Sequence, residues 1–193
     1  MRKKNRHERK GQKRPGNRET IMPWAKPEIL KAIKTGKVKI EPFEPKLVGS
    51  CSVDFRLGNH FKRIKKSKKP VFVKGNPSYT HELHEEVVVK NNEYLKLRPG
   101  ELVLGVTLEK LTLDNTSCAF IEGRSRLARL GLLVHVSSGL IQPGVSNHQV
   151  LEIVNLSPHT IELQPKTIIC QILFDDLKGK SEYTGEFKRQ TTA

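Results

Sequence analysis

Apolar residues follow two spacings along this chain, and the change of period marks its organisation. From Pro27 to Gly36 the residues Pro-Glu-Ile-Leu-Lys-Ala-Ile-Lys-Thr-Gly place Ile29, Leu30 and Ile33 on one face at helical spacing. Proline presets the φ of a first helical turn and glycine accepts the backbone that ends one, so a short helix is predicted here. Beyond it, apolar residues fall in short runs rich in branched side chains. These are Val71-Phe-Val, Glu86-Val-Val-Val, Leu102-Val-Leu-Gly-Val-Thr-Leu, Val150-Leu-Glu-Ile-Val, Thr160-Ile-Glu-Leu and Thr167-Ile-Ile-Cys-Gln-Ile-Leu-Phe. Branched side chains pack well on a pleated surface, so each run is predicted to be a strand. Turns such as Arg98-Pro-Gly and Gln142-Pro-Gly separate them, and strands at this spacing predict a barrel or sandwich rather than βαβ units.

Two segments stand outside this pattern. Residues 1–21 hold no apolar residue before Ile21 apart from Met1, and are expected to be disordered. Residues 178–193 turn polar and irregular again, as a mobile C-terminal arm would. Between them, residues 22–177 form one domain of ordinary length, enough to bury a core, with no internal repeat. No run approaches the roughly 18 apolar residues of a membrane span, and none follows the N-terminal basic residues as in a secretory signal. Cys51, Cys118 and Cys170 stand far apart without a CxxC pair. That excludes a disulfide framework or structural zinc site as an expectation and suits a reducing cytoplasm.

Charge adds a second question. The formal net charge is +15, and residues 2–20 carry nine Lys/Arg against Glu8 and Glu19. A second basic cluster comprises Lys62, Arg63, Lys65, Lys66, Lys68, Lys69 and Lys74. One reading is a nucleic-acid-binding protein that contacts its partner through residues 2–18. The other is a solvated arm and a basic loop, with a polyphosphate ligand bound elsewhere. No aromatic residue interrupts either run to stack on bases, which favours the second.

Candidate chemistry concentrates between Phe120 and Glu152. Glu122-Gly-Arg-Ser-Arg-Leu-Ala-Arg-Leu-Gly131 puts Ser125 at the start of a helical turn, with Leu127 and Leu130 pointing one way and Gly131 closing it. A helix N-terminus presents unpaired N–H groups and a partial positive charge to anions. Arg124, Arg126 and Arg129 surround that end, and a guanidinium grips phosphate through two parallel bonds. An amphipathic turn with solvated arginines fits the same spacing. Next, Gly139-Leu-Ile-Gln-Pro-Gly144 and His148-Gln-Val-Leu-Glu-Ile-Val154 predict a β-hairpin. Its return strand puts Val150 and Glu152 on one face, Leu151 and Ile153 on the other. A buried carboxylate holds its proton more tightly than one in water, as a general base working near neutral pH must. On this segment alone, a glutamate on an edge strand facing water is the preferred reading. His81-Glu-Leu-His84 lacks the spacing and cysteine pair of zinc deaminases, so it is predicted to be a polar turn or strand start, with no metal in the chemistry.

Four blocks carry a family resemblance. Ile40-Glu-Pro-Phe43 precedes Ser52-Val-Asp-Phe-Arg-Leu-Gly-Asn-His-Phe61, and Leu97-Arg-Pro-Gly-Glu-Leu-Val-Leu-Gly-Val-Thr-Leu-Glu109 follows. Then Glu122-Gly-Arg-Ser-Arg-Leu-Ala-Arg-Leu-Gly-Leu-Leu-Val-His135 runs into Gln142-Pro-Gly and Leu151-Glu152. Over residues 22–187 the chain resembles the dCTP deaminases of the trimeric dUTPase superfamily. The resemblance implies a mainly β protomer with a distorted jelly-roll or barrel core and one or two short helices, assembled as a homotrimer with sites between subunits. It implies dCTP as substrate, Mg²⁺ carried on the triphosphate, no zinc, and dUTP plus ammonia as products. It implies Glu152 as the base that activates water, with Ser125 and Arg129 holding water, base and phosphates. Arg124 and Arg126 fall at the phosphate end, and the backbone of His135, Val136, Ser137 and Ser138 at the pyrimidine edge. Gln142 falls at the deoxyribose 3′-hydroxyl, and Tyr183 and Lys180 in the lid.

The chain departs from the family at five positions. Arg126 stands where a second serine is usual, and Gln142 where the hairpin aspartate shared with dUTPases is expected. Asn147 replaces a turn glycine, and is expected to adopt that glycine's left-handed backbone. Glu182 and Glu186 replace Lys and Gln in the lid, with Lys178, Lys180, Lys188 or Arg189 to compensate. Three functions follow: a working dCTP deaminase; a nucleotide-binding relative with weak or no deamination and a regulatory or defence role; or a dUTP pyrophosphatase or bifunctional enzyme, for which Gln142 lacks the basicity.

Overall fold

The computed structural model describes residues 22–75, 81–90 and 92–192, so the expected disorder of residues 1–21 lies outside the described residues. Helix α1 spans Lys26–Lys34 with Pro27 in its first turn, Glu28 near its positive end and Lys31 and Lys34 in its last turn. Gly36 follows at φ +76°. The helix buries Ile29 and Ala32 and packs Ile33 on the core, whereas Leu30 turns to solvent.

Everything else that is regular is mainly antiparallel strand. In chain order the strands are β1 (Val38–Glu41), β2 (Val53–Ile64), β3 (His84–Val88), β4 (Leu95–Leu97), β5 (Leu102–Leu113) and β6 (Ser117–Gly123). A one-turn helix α2 (Ser125–Ala128) follows, then β7 (Leu132–Val134), β8 (Leu140–Ile141), β9 (Ser146–Asn155), β10 (Ile161–Leu163) and β11 (Ile168–Asp176). Nine strands make one sheet along the path β7-β9-β5-β2-β11-β6-β8, with β1 on β5 and β3 on β2; β10 and β4 pair separately.

The two longest strands curl this sheet into a distorted jelly roll. The first half of β2 pairs with β11 and its second half with β5, and its register against β5 slips between Leu57 and Phe61. Strand β5 slips likewise against β9 between Val106 and Lys110. Bulges of this kind bend a strand and raise its twist. At the bend a Cβ on Gly58 would lie 2.9 Å from the Val106 carbonyl oxygen, so only glycine lets the strands approach so closely. The concave side encloses Phe55, Leu57, Phe61, Leu111, Leu151 and Phe174, all essentially sealed from solvent. Burying each such side chain contributes about 1.5–3 kcal/mol. Glu109, a fully buried carboxylate, accepts the Arg56 backbone N–H at 2.7 Å and Nε–H at 2.6 Å, while Arg56 also reaches Glu44 at 2.5 Å.

Two predicted elements are corrected. Val71-Phe-Val is not a strand: it has no ladder partner among the described residues, and the three residues are 60%, 88% and 76% exposed. The predicted hairpin is not one either. Strand β8 pairs with β6 (Ala119 opposite Ile141), while β9 pairs with β5 and β7. The Gln142-Pro-Gly turn carries the chain across the fold, anchored where the Gly144 N–H meets the Asp114 carbonyl at 2.9 Å. The His81–Leu83 segment is a 3-10 turn leading into β3 at His84, as expected. Among the described residues no helix is long and apolar enough to cross a membrane.

Candidate active site

Strand β9 alternates without interruption, burying Asn147, Gln149, Leu151, Ile153 and Asn155 and leaving the residues between half-buried. Glu152 therefore faces the other side, but not from an edge: it lies opposite Leu104 of β5, while β7 flanks β9 on its other side. Strand β7 ends at Val134, and His135 then adopts φ +65°. A non-glycine residue pays roughly 1–2 kcal/mol for that backbone, so surrounding contacts hold it there. Its own N–H bonds the Glu152 carbonyl at 2.9 Å. The reversal aims the next two N–H groups, Val136 at 3.1 Å and Ser137 at 2.8 Å, at Glu152 Oε2. The Ser137 hydroxyl lies 3.0 Å from both carboxylate oxygens. Successive backbone N–H groups converging in this way form an anion nest, here filled by the protein's own carboxylate. Both ring nitrogens of His135 are buried without a hydrogen-bond partner among the described residues.

Beside this nest opens a cleft of about 330 Å³ lined by His135, Ser138, Leu140 and Gln142, with Tyr183 and Phe187 contributed by the C-terminal arm. In this conformation the arm lies against the rest of its own chain. The Tyr183 N–H bonds the Pro143 carbonyl at 2.9 Å, and the His148 N–H bonds the Gln190 carbonyl at 3.0 Å. Asn147 does not take a glycine-like backbone; it sits inside β9, and the turn glycine is Gly144 at φ +74°. The buried Asn147 side chain donates to the Phe187 carbonyl at 2.7 Å and accepts from Gln149 at 2.6 Å, so it fastens the arm. Glu182 ion-pairs with Lys188, whose bond holds its carboxyl below the usual range. Lys188 is thus the compensating cation for Glu182. Lys180 is exposed and lines no part of the cleft.

The arginine-rich turn stands apart. Arg124 ion-pairs with Asp54 of β2, which fixes its guanidinium, while Ser125, Arg126 and Arg129 are exposed. With only four residues, α2 aligns too few peptide dipoles for a strong terminal field, so any anion affinity here rests on N–H groups and arginines. Its start is close to the nest: a Cβ on Gly123 would lie 3.4 Å from the Val134 carbonyl oxygen. No hydrogen bond among the described residues joins Ser125, Arg126 or Arg129 to Glu152. The structure thus gathers Glu152, Val136 and Ser137 in one place, and His135, Ser138, Gln142 and Tyr183 around the adjoining cleft. Sequence reasoning missed the Ser137 hydroxyl, the Asp54 partner of Arg124 and the Asn147 fastening. Each joins residues at least 15 apart, and no local pattern announces such contacts.

A family model described as dCTP deaminase-like matches residues 24–177. A relative from Kocuria rhizophila named "dCTP deaminase, dUMP-forming" is 38% identical over 157 residues, covering 81% of this chain and 80% of its own length. One from Marinomonas sp. named "dCTP deaminase" is 36% identical over 179 residues, covering 86% and 92%. Among solved structures, the 2'-deoxycytidine 5'-triphosphate deaminase from Agrobacterium tumefaciens superimposes with a TM-score of 0.64 at 21% identity. That match spans 82% of this chain and about half (49%) of the other chain, and it bears on the fold.

Proposed function

The chain belongs to the dCTP deaminase-like family, and from that premise we propose that it hydrolyses the exocyclic amino group of dCTP, releasing ammonia and dUTP, with Glu152 as the base. The observation that carries this reading is the Glu152 carboxylate on an interior strand, held by three donors beside a cleft of about 330 Å³. A positioned base removes the water's proton as its oxygen bonds to C4 of the cytosine, and that proton passes to N3. Collapse of the adduct breaks the C4–N bond, and ammonia leaves with a proton from the added hydroxyl, returned by way of the same carboxylate. Because the Val136 and Ser137 N–H groups are spent on Glu152, the pyrimidine edge is left to carbonyls of this segment and the Ser138 N–H. A carbonyl suits the 4-amino donor and an N–H suits O2.

In this reading Ser125 and Arg129 hold water and phosphates, with Arg124 and Arg126 at the phosphate end and Tyr183 and Lys180 on the covering arm. The substrate is the Mg²⁺ complex of the triphosphate, the metal arriving on the phosphates. Ser125, Arg126 and Arg129 are exposed and line no part of the cleft beside Glu152, which supports a site completed by a neighbouring copy in a homotrimer.

The names of relatives such as that from Kocuria rhizophila favour a second reading, in which dUTP is split onward to dUMP. Gln142 stands against it: its amide can bond a 3′-hydroxyl but has no useful basicity with which to activate a second water. The test is to incubate the chain with dCTP and Mg²⁺ and to measure ammonia, dUTP, dUMP and pyrophosphate together. Ammonia matched by dUTP supports the proposal, and Gln142→Asp should then add only a trace of pyrophosphate. Stoichiometric dUMP and pyrophosphate would establish the second reading, and tight nucleotide binding without ammonia would make the chain a nucleotide-binding relative.

A further inference from the structure

The basic cluster between β2 and β3 takes no part in the proposed chemistry. At its base Lys62 pairs with Glu86 and Arg63 with Glu101, while Lys65 keeps its charge and bonds only the Glu82 backbone carbonyl at 3.2 Å. Beyond that base the chain runs through Lys65, Lys66, Lys68, Lys69 and Lys74 with no acidic residue among them. The segment makes no strand, and the residues from 64 to 75 are all exposed. The expectation that no aromatic interrupts the basic runs holds only as far as Lys69. Phe72 stands between Lys69 and Lys74, and at 88% it has the highest exposure of the large apolar residues among those described, with Val71 and Val73 beside it at 60% and 76%.

We propose that this loop, from Lys65 to Lys74, is a docking surface for single-stranded nucleic acid, with Phe72 as a stacking platform and the lysines tracking the phosphates. An exposed aromatic ring flanked by cations is the recurring device by which proteins hold single strands without reading their sequence, since every base offers a π face. Charge complementarity is the second ground, because this segment has five cations, no anions, and belongs to a chain of net charge +15. An anionic bilayer would also attract lysines and accept Val-Phe-Val. However, the exposed carboxylates of Glu82, Glu85 and Glu86 stand at the loop's base, and a flat anionic surface approaching the loop would meet them. A flexible strand can follow the loop and bypass them. This surface is independent of the deaminase reading.

The test uses the full chain and an end-labelled oligothymidine of about 20 nucleotides, long enough for one site, with affinity read by fluorescence anisotropy across a salt series. Replacing Lys65, Lys66, Lys68, Lys69 and Lys74 together by Gln should flatten the log–log salt dependence by about 3.5, at roughly 0.7 per neutralised phosphate. Phe72→Ala should weaken binding about tenfold while leaving that slope unchanged. Both variants should melt at the parent temperature, since the loop is exposed. Failure of the parent to bind the oligonucleotide would overturn the proposal. So would parent-like binding by either variant, because the contact would then lie elsewhere, for example in residues 2–20. Binding to phosphatidylserine vesicles but not to the oligonucleotide, abolished by Phe72→Ala, would replace it with a lipid surface.

Discussion

Replacing Glu152 by Gln, alongside Ser137 by Ala, separates basicity from positioning at the proposed centre. The amide of Glu152→Gln matches the carboxylate in size and can keep the nest. Its oxygen accepts the Val136 and Ser137 N–H groups, now at 3.1 and 2.8 Å, while its NH₂ donates to the Ser137 hydroxyl. Fold and nucleotide affinity should persist, and the loss should fall on turnover: about 10²–10⁴ in kcat, or roughly 3–5.5 kcal/mol of barrier. Ser137→Ala is milder. It deletes the hydroxyl that lies 3.0 Å from both carboxylate oxygens but leaves both backbone donors. A hydrogen bond to a charged group contributes about 1.5–3 kcal/mol, and the site is half open to solvent, so the lower figure applies. That corresponds to about tenfold in kcat, with KM unchanged because the hydroxyl touches the base and not the nucleotide. Ammonia release in a coupled assay, with KM and kcat resolved, measures both. Glu152→Gln turning over within tenfold of the parent would refute the assignment of the base. Ser137→Ala with raised KM and intact kcat would place that hydroxyl on the nucleotide.

Three further outcomes follow from packing. Glu109→Ala strands the Arg56 N–H and Nε–H in a nearly closed environment, which should cost about 3–5 kcal/mol and lower Tm by roughly 10 °C in thermal unfolding; a shift below 2–3 °C would show the pair to be dispensable. Burial pushes the Asp114 carboxyl up, but bonds from the Ser117 and Thr116 hydroxyls and the Thr116 N–H, with Lys37 nearby, bring it below its usual 3.8. Its charged form therefore stabilises the fold fully above about pH 3.8 and that contribution disappears as pH falls through the lower folded value; Asp114→Asn should flatten this part of the Tm–pH curve, and an unchanged curve would contradict it. Asn147→Ala removes the bond to the Phe187 carbonyl and leaves Gln149 unpaired, a loss of about 1–3 kcal/mol that should speed trypsin cleavage after Lys188 and Arg189; an unaltered cleavage rate would show that the arm is held by other contacts.

What the sequence by itself determined were the features governed by near neighbours. Pro27 and Gly36 bracket α1, alternation over residues 150–154 puts Glu152 opposite Leu151 and Ile153, and Ser125 opens the turn that Gly131 closes at φ +77°. Each follows from a residue's own backbone preference or a period of a few positions. Pairing partners did not, because β propensity states that a segment suits a pleated surface without saying which strand lies alongside. Val71-Phe-Val has the composition of a strand yet finds no partner among the described residues, and β8 passes over β9, its neighbour in sequence, to pair with β6 some twenty residues back. The Glu152 nest was likewise beyond a linear reading. It exists only because β7 lies beside β9 and His135 reverses the chain at the strand's end, bringing donors 15 and 16 residues away onto one carboxylate. Asn147 illustrates the same limit: its backbone tolerance suggested a turn, while the tertiary structure placed it inside a strand and used its amide to hold a segment 40 residues distant.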